Sequence, residues 1–108
     1  MTYEVIVAPL AEQDLRRNAD WWAENHSPTQ AERWFENAYK QLSSLKSMPE
    51  RCPLSTESGS VPFEIRDLLF GLGPKPSYRA IITIENEKVY VLRVVRGAED
   101  VLEVGDLT

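Results

Sequence analysis

Apolar and mixed residues alternate over residues 3–8 (Tyr-Glu-Val-Ile-Val-Ala), a stretch rich in β-formers that predicts a first strand. Pro9 follows and suits the first turn of a helix. Over residues 10–25, Ala11, Leu15, Ala19 and Trp22 recur at helical spacing. Glu12 and Asp14 sit near that helix's start, where its dipole favours acids. Ser27-Pro28-Thr29-Gln30 is a sharp boundary. Ser27 can cap, Pro28 fits the first helical position, and Gln30 completes a capping-box spacing. Ala31, Trp34, Phe35, Ala38, Leu42 and Leu45 then share one face of a second helix. It is expected to end near Ser47, because Pro49 disfavours helix in the residue before it. The short link around His26 makes the two helices an antiparallel hairpin.

Pro53, Gly59, Pro62 and several serines break any periodicity over residues 51–62, which read as a loop. A second strand is expected over 64–70, and a turn over 71–77. Two further strands, 78–84 and 88–96, are joined across Glu85-Asn86-Glu87-Lys88 and end at Gly97. The order βααβββ argues an α+β class, with the helical hairpin packed on one face of a mainly antiparallel sheet. The other face is left partly open, which is where function could sit. At 108 residues the chain is expected to form one domain, 1–108.

The last two strands carry Arg79, Arg93 and Arg96, although the chain's formal net charge is −5. Parity decides which of them share a face. With a two-residue turn at Asn86-Glu87, Glu85 pairs with Lys88 and Arg79 stands opposite Val94. Arg79, Thr83, Tyr90 and Arg96 then share one face, while Arg93 lies opposite Ala80 on the other. A four-residue loop keeps that parity and a three-residue loop reverses it. The parity of Arg66, on a different strand, does not follow from this register.

Charge narrows the choice of partner. A general nucleic-acid binder is usually basic. Here the acids dominate the N-terminal half and the tail, where Glu99, Asp100, Glu103 and Asp106 follow Arg96. A locally positive face on an acidic body is compatible with this. The composition, 43% hydrophobic and 27% charged, is that of an ordinary globular domain. Cys52 is the only cysteine, so a disulfide framework within one chain is excluded. No stretch has the form of a signal peptide or approaches a membrane span. A soluble cytoplasmic protein is expected.

Familiar catalytic constellations are missing. His26 is the only histidine and sits at the helix junction, where surface or capping use is expected. One histidine and one cysteine make no recognisable metal site, and no cofactor or metal is expected. Gly71-Leu72-Gly73 runs into Pro74, so it is not a phosphate loop opening a helix. Trp22 and Trp34 fit the apolar stripes. Trp21 falls one residue off its stripe and is a candidate partner contact.

Several segments together resemble the RelE/ParE toxin superfamily of type II toxin–antitoxin, or plasmid stabilisation, modules. Residues 3–11 followed by Asp14-Leu15 resemble its strand-to-helix opening. Leu45 and Pro49 resemble the end of its second helix, and Ile65-Arg66-Asp67-Leu68-Leu69-Phe70 its second strand. Tyr78-Arg79 before apolar residues is similar to its most typical short motif. Residues 91–100 resemble its leucine-arginine-valine-x-histidine-glycine-alanine-arginine-aspartate ending, except that Arg96 replaces the histidine and Glu99 the arginine.

The resemblance implies a growth-inhibiting toxin neutralised by a cognate antitoxin. One branch inhibits DNA gyrase, and the other cleaves mRNA in the ribosomal A site. In the second branch Arg79 would hold the scissile phosphate, with Arg96 as a second catalytic candidate. Arg96 cannot replace histidine as an acid–base group, because it stays protonated. No tyrosine follows Tyr90, so a late catalytic tyrosine is missing as well. The leading expectation is therefore a toxin that binds a target such as gyrase, with Arg66, Arg79, Arg93, Arg96, Tyr90 and Trp21 as antitoxin or target contacts. The alternatives are a ribosome-dependent mRNA endonuclease and a non-toxic binding module of the same fold. A homodimer or a hetero-oligomer with the antitoxin are the candidate assemblies, with no membrane partner.

Overall fold

The computed structural model describes residues 2–72 and 76–96. The acidic tail from Gly97 onward, including Glu99, lies outside them, as do residues 73–75. The chain runs β1 (Glu4–Val7), α1 (Pro9–Asn25), α2 (Pro28–Ser43), β2 (Arg66–Phe70), β3 (Tyr78–Glu85) and β4 (Lys88–Arg96). The sheet order is β1-β4-β3-β2. β1 runs parallel to β4, and the other two pairings are antiparallel. Among the described residues no helix is long and apolar enough to cross a membrane.

Local chemistry sets the helix ends. Pro9 and Pro28 occupy first-turn positions that need no N–H donor. Ser27 Oγ accepts the backbone N–H of Gln30 at 3.1 Å, the capping bond expected of that boundary. α2 stops at Ser43 rather than near Ser47, and the chain tightens into a 3₁₀ turn, Ser44–Lys46, that still buries Leu45.

The main core lies between the helices and the sheet. Leu15, Trp34, Ala38, Leu42 and Leu45 meet Leu68, Phe70, Tyr78, Ala80, Ile82, Val89, Val91 and Val94. A smaller core sits on the opposite side of the sheet, where Ile65, Ile81 and Val95 are buried against Val61 and Leu92. The segment between the 3₁₀ turn Pro49–Arg51 and β2 therefore roofs part of the face that was expected to stand open.

The hairpin register holds at the turn and changes beyond it. Glu85 pairs with Lys88, as expected of a two-residue turn, and Asn86 takes the left-handed conformation (φ 57°) that asparagine tolerates. Ile82 pairs with Val91 but Ile81 pairs with Arg93, so Leu92 is an extra residue in β4, a β-bulge. Past it, Arg79 faces Val95 rather than Val94, and Tyr78 faces Arg96. Tyr78 belongs to the core under the helices, so parity turns Arg79 to the other side. The expectation that Arg79 and Arg96 share a face is thus reversed.

Candidate functional site

Arg79 is held inside an ion cluster. Its Nη1 and Nη2 donate to Glu57 Oε2 and Oε1 at 2.6 and 2.7 Å, a bidentate fork. Nη1 also donates to Asp67 Oδ2 at 3.2 Å. Only 5% of Arg79 is exposed. Ser55 Oγ donates to Glu57 Oε2 at 2.7 Å and orients the carboxylate. The Arg79 hydrogen bonds hold the Glu57 carboxyl down at about 2, well below its ordinary value, and Glu57 in turn raises the guanidinium above its own. A cavity of about 290 Å³ adjoins the cluster, lined in part by Thr56, Leu69 and Tyr78.

Arg93 is engaged on the helix side. Its Nε and Nη2 donate to Asp14 Oδ2 and Oδ1 at 2.6 and 3.0 Å. Asp14 is 1% exposed and also accepts from Arg17 Nη2 at 2.7 Å and from the Val94 backbone N–H at 3.0 Å. The last contact has a structural cause. β1 pairs with β4 only as far as Val7–Val91, so the Val94 N–H beyond it needs another acceptor. The acid placed near the helix start for its dipole therefore closes the strand edge.

Arg66 is a strap rather than an exposed charge. Its Nη1 donates to the carbonyls of Cys52 and Glu50 at 2.7 and 3.2 Å, and its Nη2 to Glu64 at 3.0 Å. Cys52 is buried, and burial pushes its thiol pKa up.

Arg96 is exposed and lies against half-buried Trp21. The Arg96 guanidinium carbon lies 4.5 Å from the Trp21 ring centroid, a cation–π contact. Trp21 meets Trp22 edge-on at 5.7 Å. Trp22 stacks on exposed His26 at 4.4 Å and donates its Nε1–H to the Tyr78 hydroxyl at 3.0 Å. The His26 backbone N–H caps α1 through the Trp22 carbonyl, the capping use expected of it. Tyr90 lies elsewhere, half-buried near the hairpin turn beside Thr83.

The structure thus brings Trp21 and Arg96 together. It places Arg79 on the opposite side of the sheet and Tyr90 toward the hairpin turn. A family model described as the ParE toxin of type II toxin–antitoxin system, parDE, matches residues 5–101. The chain belongs to the ParE toxin family. No curated protein sequence matches it. A solved structure titled "Chromosomal ParDE TA system from P. aeruginosa" is similar in fold, with a TM-score of 0.72 and 19% identity. The match covers 89% of this chain and 97% of that one.

In this member of the ParE toxin family, Arg79 has internal carboxylate partners in Glu57 and Asp67. Glu57 and Asp14, the closest carboxylate partners of Arg79 and Arg93, carry no mark of that role in the sequence. Glu57 lies in a serine-rich loop with no periodicity to aim it. Asp14 had a sufficient local explanation in the helix dipole.

Proposed function

We propose that this type II toxin arrests growth by binding a target protein such as DNA gyrase, is silenced by a cognate antitoxin, and does not cleave mRNA. The observation that carries this reading is the occupied fork of Arg79. A scissile phosphate would have to displace the Glu57 carboxylate. It would then meet Asp67, whose Oδ1 accepts no hydrogen bond among the described residues. One guanidinium against two carboxylates is locally negative, a setting that repels phosphate. Arg96 supplies no proton-transfer group in compensation.

On this reading the antitoxin docks on the other side of the sheet. Arg96 over Trp21 offers an exposed cation on an aromatic plate, with Arg17 one turn earlier on α1. This suits an acidic segment with an apolar anchor. The test is induction of the protein alone, with translation and DNA supercoiling followed separately. Loss of supercoiling with intact mRNA on programmed ribosomes is the expected result. Cleavage of A-site mRNA that disappears in Arg79→Ala would overturn the proposal.

A further inference from the structure

On the helix-free side, at the turn end of the hairpin, lies a groove of about 440 Å³ lined by Phe63, Glu64, Thr83, Ile84, Glu85 and Tyr90. A second hollow, about 500 Å³, shares Glu85 and Tyr90 with it and adds Glu87 and Lys88. Tyr90 is thus common to both. Its register partner is Thr83, whose Oγ1 donates to the Glu64 carbonyl at 2.9 Å and ties the Phe63–Glu64 segment to β3. Phe63 remains 39% exposed.

The lining has a definite chemical preference. Two aromatic side chains provide apolar faces with negative quadrupoles. Glu64 is bridged to Arg66, whereas Glu85 and Glu87 make no ion pair among the described residues. Lys88 is the only cation among the described residues lining the two hollows. An anion would be repelled here, and a neutral apolar group would cover carboxylates without satisfying them. A guanidinium meets both demands. It is weakly hydrated, stacks on aromatic faces and donates in a fork to carboxylates.

We propose that this groove receives an arginine side chain presented by a protein partner, stacked against Tyr90 and Phe63 and hydrogen-bonded to Glu85. The site lies away from the Arg96–Trp21 surface and does not depend on the toxin reading. The test uses the full-length ¹⁵N-labelled chain titrated with a blocked Gly-Arg-Gly peptide, and with the same peptide carrying citrulline or lysine. Saturable amide shifts confined to Glu64, Thr83, Glu85 and Tyr90 are expected. Citrulline, which keeps the shape and loses the charge, should weaken binding by about fivefold or more, as a cation–π contact implies. Glu85→Gln, a change at an exposed position, should weaken the arginine peptide by about tenfold or more, the size of one charge-assisted hydrogen bond; Tyr90→Ala should weaken it by about fivefold, as loss of a cation–π contact implies. Shifts elsewhere, equal binding of citrulline or lysine, or indifference to Glu85→Gln would overturn the proposal.

Discussion

Arg79 and Arg96 lie one rung apart on β3 and β4, yet they meet opposite surroundings. Arg79 is sealed on the helix-free side by the carboxylates of Glu57 and Asp67. Arg96 rests on Trp21 beside the helices and remains exposed. Both side chains carry the same charge, and both stand on one β-hairpin. The difference comes from the bulge at Leu92, which shifts the register by one residue and so puts the two arginines on adjacent rungs, whose side chains alternate in face, and from what each face then offers. One arginine fastens a loop to the sheet, and the other is available to a partner.

The largest test of this contrast removes what holds the Arg96 end of β4. Asp14→Ala leaves Arg93 and the Val94 N–H without their carboxylate, and should cost about 3–5 kcal/mol, the usual penalty for breaking a buried pair. Denaturant unfolding measures it; a loss below about 1 kcal/mol would mean the edge is held by something else.

A second test concerns the sealed arginine. Arg79→Ala should cost about 2–4 kcal/mol by the same logic, discounted because Glu57 and Asp67 keep some solvent contact. The pH dependence has a fixed sign. The folded Glu57 carboxyl sits at about 2 against an ordinary 4.5. Its contribution is therefore complete above 4.5 and is lost as pH falls toward 2. Glu57→Gln should flatten the stability profile in that window. A Glu57→Gln protein with the parent's acid profile would show that Arg79 is not clamped in solution.

The smallest structural effect and the most specific functional one should coincide at Arg96. Arg96→Ala removes an exposed cation–π contact, so stability should change by about 1 kcal/mol or less. Affinity for the cognate antitoxin, measured by calorimetry, should fall about tenfold or more, as for an interface anchor. Arg79→Lys should leave that affinity near the parental value. If the two substitutions had the reverse effects, the assignment of faces would be wrong.

Much of the fold was legible because its signals are local. Pro9, Ser27 and Pro28 act within one turn of where they stand, and the two strands flanking Glu85-Asn86-Glu87-Lys88 mark the hairpin, although not the length of its turn. The stripe from Ala31 to Leu45 predicted the buried face of α2. The bulge left no such mark: residues 89–95 are apolar except Tyr90 and Arg93, so an inserted leucine does not break a visible alternation. The roles of Glu57 and Asp14 were equally hidden, since each meets its arginine across 22 and 79 residues of chain.

By itself the sequence determined the α+β order, the two helix faces, the position of the hairpin and the resemblance to a toxin family. These follow from periodicity, capping and turn chemistry, which operate over a few residues. Tertiary structure alone decided which arginines are enclosed and which are exposed. That choice depends on one extra residue in a strand and on carboxylates brought in from distant segments. An arginine's surroundings are set by what packs against its face, and no spacing along the chain records that.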